Sequence, residues 1–339
     1  MTKLSGETPF FSVVVPTYNR RESLLKCLGA LAGQSIDMKN FEVIVVVDGS
    51  TDDTVEAVAA HSFPYVLRCV SVPNGGASKA RNAGVAMARG KYIGLTEDDV
   101  LPDSTWLAEA SRILQGNDID ALEGRTIYQE TGKDVRRMDM KGMPSFIPCN
   151  LFVKRNVFES LGGYDPEFYD GKKHLYFRED ADFGFRLLEA GCLVRIAAEP
   201  VVSHPLQFAD LHLCLCHVRR YVFDPLLYRK HPVLFRKMIE AKRICGVVIH
   251  RPQHLVAWVS VMGMLLAVGA LPFGEWTLAL WGVAVAAICG HVFRMKYQGL
   301  RAFRIFNVKE TAGFLLLPLV YFWTVMKGCW KYRVLGPMV

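Results

Sequence analysis

FFSVVVPTYNR (residues 10–20) and FEVIVVVDGSTDDT (residues 41–54) decide the fold. Each opens on a continuous apolar, β-branched run of strand length, the pattern of a parallel strand covered on both faces. Between them, Leu24, Leu25, Leu28 and Leu31 recur at helical spacing. A second unit repeats the theme, with YVLRCVSV at 65–72, a helical stretch over 77–89 and KYIGL at 91–95. This βαβα series predicts an α/β fold built on an open, mostly parallel, Rossmann-like sheet with helices on both faces. Such sheets bind ligands beyond the carboxyl ends of their strands.

Four polar clusters stand at those ends. They are Pro16-Thr17-Tyr18-Asn19-Arg20, Asp48 through Thr54, Asn74-Gly75-Gly76 with Arg81-Asn82, and Glu97-Asp98-Asp99. Singly, each has a plain reading. Asp-Gly-Ser is a common turn and N-cap signal, Gly-Gly a tight turn, and an acidic triplet a solvated loop. G-x-G-x-x-G is absent, which argues against a dinucleotide site. At successive strand ends, however, the four clusters converge on one crevice.

Taken together, VVVPTYNR, VDGSTDDT, NGGASKARN, TEDDVLP, GGYD and RED resemble the inverting family 2 glycosyltransferases of GT-A fold, over roughly residues 10–205. The resemblance implies a nucleotide-sugar donor and a divalent cation, Mg²⁺ or Mn²⁺. Hard cations of this kind are held by carboxylates and stabilise a leaving diphosphate. Glu97 and Asp99 stand at the D-x-D positions: Asp99 is implied to contact the metal, and Glu97 or Asp98 the ribose or the metal's water shell. Glu in place of the usual Asp leaves open which of the two takes the ribose. By the same resemblance Pro16, Thr17 and Tyr18 wall the nucleoside pocket, Asp48 meets the base edge, and Arg81 lies near the nucleotide. His204 completes the metal or diphosphate site. Asp180 is the implied catalytic base with Glu179 orienting the acceptor, and Gly162-Gly163-Tyr164-Asp165 forms an acceptor-side loop. Plain alternatives are a surface helix arginine for Arg81, a helix N-terminal cap for Glu179 and Asp180, and a structural imidazole for His204. Membrane-bound relatives carry Q-x-x-R-W after the E-D motif, whereas this chain reads His217-Val218-Arg219-Arg220-Tyr221. Arg220 is assigned to the diphosphate on that basis, against a basic amphipathic helix on the membrane. The departure at both ends of the motif weakens a processive synthase.

The chain has 339 residues, 51% hydrophobic and 22% charged, which excludes a disordered chain. Its mean hydropathy of +0.18 is high for a wholly soluble protein. Charge is uneven: residues 1–204 carry net −5 and residues 205–339 net +12. The second half also holds two runs without a formal charge, 255–274 and 276–293, each long enough to cross a bilayer, with a turn around Pro272–Glu275. Basic residues flank both runs (Arg236, Lys237, Lys242, Arg243 and Arg251 before, Arg294, Lys296, Arg301, Arg304 and Lys309 after) and place those flanks on the cytosolic side. The basic excess is therefore a membrane signature, and nucleic acid is not an expected partner.

A third apolar run, 311–326, has 16 residues and reads as a short span, a re-entrant segment or an interfacial one. The plain alternative for the two longer runs is a buried helix pair in a soluble core. Nine scattered cysteines, an odd number, suit a reducing compartment, and MTKLSGETPF has no apolar leader core. The expectation is a catalytic domain over 1–204, amphipathic interfacial connector helices over 205–252 and a helical membrane unit over 253–339. The enzyme would be multi-pass in the cell membrane with its catalytic domain cytoplasmic. It would act on a lipid, lipid-linked glycan or polysaccharide, in contact with membrane lipid. Two rivals remain at this stage: a polyprenyl-phosphate glycosyltransferase, whose acceptor needs no base, and a non-catalytic membrane adaptor on a transferase fold.

Overall fold

The computed structural model describes residues 8–129, 135–137, 144–205, 210–244, 247–250, 252–298 and 308–334. Arg251, Arg301 and Arg304 of the basic flanks lie outside them. The chain divides into two compact units, Met1–His174 with Glu179–Leu206, and Leu175–Arg178 with Gln207–Val339.

The first unit begins β1 (Phe11–Thr17), α1 (Arg21–Ala32), β2 (Phe41–Asp48), α2 (Thr54–Ala59), β3 (Val66–Val72), α3 (Ala77–Ala86), β4 (Tyr92–Leu95). It continues β5 (Leu101–Pro102), α4 (Trp106–Leu114), β6 (Ala121–Gln129), β7 (Val135–Arg137), β8 (Leu151–Lys154) and α5 (Arg155–Ser160). After β9 (Tyr169–Asp170) and β10 (Leu175–Tyr176, which belongs to the second unit) come α6 (Glu179–Glu189) and β11 (Val194–Pro205). The main sheet has the order β3-β2-β1-β4-β8-β6-β11-β5, with β7 paired to β6. β3, β2, β1 and β4 are mutually parallel, as the apolar runs predict. The second half is mixed: β8 runs antiparallel to both β4 and β6, and β5 antiparallel to β11.

Every residue of β1 and β2 is buried, because helices cover both faces. β3 is only partly covered, since it ends the sheet order. One ion pair is buried among these strands. Ser12 Oγ donates to Glu42 Oε1 at 2.6 Å, Arg68 Nη2 to Oε2 at 2.5 Å, and the Arg89 amide to Oε1 at 2.8 Å. Three partners make an interior carboxylate tolerable, and its removal would strand Arg68.

The second unit contains α7 (Leu211–Arg220), α8 (Asp224–Lys230), α9 (Pro232–Leu234), β12 (Ala241–Ile244), β13 (Val247–His250), α10 (Pro252–Ala270), α11 (Trp276–Gln298) and α12 (Val308–Tyr332). Besides helices, the stretch 205–252 carries β12 and β13, which pair antiparallel. Ile244, Val247, Val248 and Ile249 are β-branched and favour the strand. Between α10 and α11 the chain turns through Leu271–Phe273 and Gly274, whose φ of +70° suits glycine. The third apolar run is longer than its charge-free core suggests, because the helix continues through Lys327 to Tyr332. Three stretches are long and apolar enough to cross a membrane: Gln253–Phe273, Trp276–Met295 and Gly313–Tyr332. On the first two of these, Leu265, Leu280 and Trp281 are 61%, 69% and 69% exposed.

Glu42→Ala is expected to destabilise the chain by about 2–4 kcal/mol, since it strands a largely buried guanidinium and two donors. Urea unfolding of the detergent-solubilised chain measures this, and a loss below about 1 kcal/mol would assign the pair no structural weight.

Candidate active site

β1 and β4 are neighbours, but the chain leaves β1 toward β2 and reaches β4 from the other side through β3 and α3. Their carboxyl ends therefore flank the topological switch point, where such sheets open a crevice. The first and fourth sequence clusters meet across it. Thr17 Oγ1 donates to Asp98 Oδ2 at 2.8 Å, while Arg20 Nη1 donates to Asp98 Oδ1 at 3.1 Å and to Asp99 Oδ2 at 2.8 Å. Burial pushes the Asp98 carboxyl upward, against Arg20 and Thr17, which favour its charge.

Glu97 turns to a different partner. Arg81 Nη2, on a side chain only 3% exposed, donates to Glu97 Oε1 at 2.8 Å. Arg81 is thus no surface helix arginine. Burial raises the Glu97 carboxyl, but the hydrogen bond from His204 and the charges of Arg81, His204 and Arg20 outweigh it and hold the group below its usual range. His204 Nδ1 donates to the Pro205 carbonyl at 2.8 Å, which aims Nε2 at the carboxylates, 3.6 Å from Glu97 Oε2 and 3.7 Å from Asp99 Oδ1. Among the described residues, Glu97, Asp99 and His204 each offer one ligand atom, all within 4.8 Å of one another. Asp99 Oδ1 is buried with no hydrogen-bond partner among the described residues. Two carboxylates and an oriented imidazole, with one acceptor left open, fit a divalent cation such as Mn²⁺ or Mg²⁺.

The second and third clusters are joined through Asp48. Its Oδ1 accepts from the Gly75 amide at 2.7 Å and its Oδ2 from the Gly76 amide at 2.9 Å, while Asn74 Nδ2 donates to its carbonyl at 2.8 Å. Gly76 has φ +82°, and a Cβ there would lie 2.8 Å from the Tyr169 ring, so only glycine fits. The first and second clusters are laced by Asn19, whose amide donates to Ser50 Oγ at 2.9 Å and whose Oδ1 accepts from the Thr51 amide at 2.7 Å. Pro16 ends β1 in the interior with Thr17, and Tyr18 is exposed at the loop.

Glu179 and Asp180 open α6. Glu179 is buried, whereas Asp180 is half-buried and accepts from the Ala181 amide at 2.7 Å. Burial, followed by the neighbouring Asp180 charge, pushes the Glu179 carboxyl up to about 7; the charge of Glu97 adds to this, which puts the two acidic clusters in one electrostatic neighbourhood. The Tyr164 hydroxyl is buried without a hydrogen-bond partner among the described residues, and it feels Arg81, Asp180, Glu179 and Glu97. Asn82 clamps the Tyr164 backbone on both sides, accepting from its amide at 2.9 Å and donating to its carbonyl at 2.7 Å. Arg186 donates to the Leu161 and Gly163 carbonyls at 2.5 and 2.7 Å, tying α6 to the same loop.

The structure therefore gathers Thr17, Asp98, Asp99, Glu97, Arg81 and His204 by direct contact. Asp48 holds the adjoining loop, and Glu179 and Asp180 come within electrostatic reach. Arg220 lies in the second unit, its guanidinium 4.9 Å from the Tyr176 ring centre. Sequence reading quoted Arg20, Asn82 and Tyr164 without giving them individual roles, and passed over Glu123. That buried carboxylate accepts from the Ser145 amide at 2.7 Å and the Phe146 amide at 3.1 Å, and it feels Asp180. A lone Glu inside an apolar strand pattern was its signal.

The family model described as Glycosyl transferase family 2 matches residues 12–181. Glycosyltransferase AglE of Haloferax volcanii is 27% identical over 223 residues, 61% of this chain and 71% of that protein. The poly(ribitol-phosphate) beta-N-acetylglucosaminyltransferase TarS of Staphylococcus aureus is 27% identical over 170 residues, 46% of this chain but 30% of its own length. Among solved structures, the mannosyltransferase PcManGT from Pyrobaculum calidifontis, in complex with GDP-Man and Mn²⁺, superposes with a TM-score of 0.58 over 94% of this chain and 88% of that one, at 19% identity. That likeness establishes the GT-A fold.

The raised Glu179 carboxyl has a stability consequence. Between the ordinary glutamate range and about pH 7 the native state holds a proton that the unfolded chain has released, so stability falls as pH rises through this window. Glu179→Gln is expected to flatten that dependence. Thermal unfolding of both proteins from acid to neutral pH checks it, and parallel curves would overturn the assignment.

Proposed function

The chain belongs to glycosyl transferase family 2, and we propose that this glycosyltransferase moves one sugar, with inversion, from a nucleotide-diphosphate sugar to a hydroxyl of a lipid, lipid-linked glycan or polysaccharide. The observation that carries the reading is the group Glu97, Asp99 and His204, with its open Asp99 Oδ1, at the switch point of the sheet. Glu97, Asp99 and His204 would hold Mg²⁺ or Mn²⁺, which supplies charge stabilisation to the leaving nucleoside diphosphate.

The chain's own residues carry the other duties. Pro16, Thr17, Tyr18 and Asp48 form the nucleoside side, where Asp48 also fixes the Gly75–Gly76 turn. Asp98, held by Thr17 and Arg20, borders the ribose. Arg81 orients Glu97 and places positive charge toward the diphosphate; Arg220 is assigned to the diphosphate by the motif resemblance alone. Asp180 takes the acceptor hydroxyl's proton as oxygen attacks the anomeric carbon opposite the leaving group. It is the more exposed of the pair, while the buried Glu179 orients the acceptor.

The division into a catalytic domain over 1–204, a connector over 205–252 and a membrane unit over 253–339 is part of the same reading. The catalytic domain is then cytoplasmic and works at the headgroup layer of the cell membrane. Exposed apolar helices with basic flanks support it.

Asp99→Ala is expected to abolish both Mn²⁺ binding, read by paramagnetic resonance of the free ion, and sugar transfer. Full transfer in excess chelator would overturn the cation's role. Asp180→Asn keeps the side chain's shape and removes the proton acceptor, so transfer should fall by roughly 10²–10⁴-fold with donor affinity near wild type. Donor affinity and transfer rate measured on the same variant decide this. Near-normal transfer would indicate an acceptor already ionised, and lost donor binding would move Asp180 into the donor site.

A further inference from the structure

Three helices of the second unit are long and apolar enough to cross a membrane, but their neighbours differ. α10 and α11 approach each other along small residues. A Cβ on Gly263 would lie 2.8 Å from the Gly282 carbonyl oxygen, and one on Gly282 would lie 2.7 Å from the Ala267 amide. Backbones this close suit a membrane hairpin.

α12 meets α11 as well, where a Cβ on Gly290 would lie against Leu315 Cα, but it is also accompanied along its length by α7 and α8. Leu211, at the start of α7, packs on Gly313. The rings of Tyr221 and Tyr321 meet at 4.9 Å, and a Cβ on Gly328 would lie 3.1 Å from Pro225 Cγ. At the far end Arg229 Nη1 donates to the Tyr332 carbonyl at 3.3 Å, and Lys331 Nζ stands 5.9 Å from the Phe223 ring centre. Leu211 to Arg229 thus tracks Gly313 to Tyr332 in parallel. The contacts of α12 with the hairpin draw on its open end: Tyr321 meets His254 at 5.3 Å and Phe293 at 5.6 Å, Phe322 meets Trp258 at 4.7 Å, and Arg294 stands over Phe314 at 5.5 Å.

Whatever depth α12 occupies, α7 and α8 share it. That pair of helices carries Arg219, Arg220, Arg229 and Lys230. It also carries Asp224, which is buried and accepts from Arg178 Nε at 2.7 Å. So many charges are strongly disfavoured in hydrocarbon and ordinary in the headgroup layer. The outer face of α12 matches that layer. Leu316, Trp323 and Trp330 recur every seven residues on one side, 53%, 71% and 85% exposed, and Lys327, Lys331 and Arg333 are exposed toward its end. Indole rings settle at the membrane interface, and long cationic side chains reach phosphate from beside them.

We infer that α12 does not cross the membrane but lies in the headgroup layer beside α7 and α8, with its Leu316–Trp323–Trp330 face on an anionic leaflet. Only the α10–α11 hairpin then spans, so the chain crosses twice and both its ends lie on one side. The basic residues at 327, 331 and 333 join the other basic flanks on that side.

The inference rests on the membrane reading above, and two reporters separate the two. In the full chain, topology reporters are placed before Met1, between Phe273 and Gly274, and after Val339. The expected result is that the Phe273 site lies opposite the other two. A Val339 reporter on the Phe273 side would overturn the surface placement of α12 while keeping the hairpin. A Phe273 reporter on the Met1 side would overturn the membrane reading itself. In reconstituted phosphatidylglycerol vesicles, the emission lost in Trp330→Phe identifies Trp330. Lipids spin-labelled near the headgroup should quench it at least twofold more than lipids labelled deep in the chain, and by a wider margin than in phosphatidylcholine. Equal or deeper quenching would overturn the placement, and no difference between the two lipids would overturn its anionic preference.

Discussion

Three consecutive carboxylates at the end of a four-residue strand repel one another, and the architecture around them is arranged to keep all three in place. Each side chain is given a separate partner: Glu97 takes Arg81 from α3, Asp98 takes Thr17 from β1, and Asp99 takes Arg20. Arg20 Nη1 alone reaches both Asp98 and Asp99, so one guanidinium balances two neighbouring charges. Because Arg20 occupies Asp99 Oδ2, the other oxygen faces Glu97 and His204 with no hydrogen-bond partner among the described residues. Neutralising the triplet and presenting one open acceptor are the same act.

The sheet separates this chemistry from its support. Polar groups between β1, β2 and β3 pair with one another, with Glu42 accepting from Ser12, Arg68 and the Arg89 amide. Groups at the carboxyl ends are only partly closed. Asp48 is held by two amides, but Tyr18 is exposed, and the Tyr164 hydroxyl has no partner among the described residues. Saturated polar networks rigidify, and unsaturated ones are where a ligand is met. The double clamp of Asn82 on Tyr164 and the two bonds from Arg186 then carry the rigidity of α3 and α6 into the loop between them.

In the second unit the governing fact is which helix keeps which company. Hydropathy treats α10, α11 and α12 alike, but their neighbours do not. The hairpin helices meet through Gly263, Gly282 and Ala267, while α12, which touches α11 at Gly290, also runs along a charged helix pair. A helix inherits its permissible depth from whatever it is packed against.

The sequence by itself determined the parallel half of the sheet, the family and the four clusters. Continuous β-branched runs such as Val13–Val15 and Val43–Val47 have few alternatives to a buried strand, and strand ends carry their polar residues with them. It also located the two membrane-length runs, because that signal is local in composition. The tertiary structure decided what depends on residues far apart in the chain. Arg81 and Glu97 are 16 positions apart, Thr17 and Asp98 81, and nothing in either segment declares the pairing. The antiparallel insertion of β8, the strands β12 and β13 among the connector helices, the burial of Glu123 and the continuation of α12 past Lys327 belong to the same class. Each is set by long-range packing, which a local pattern does not encode.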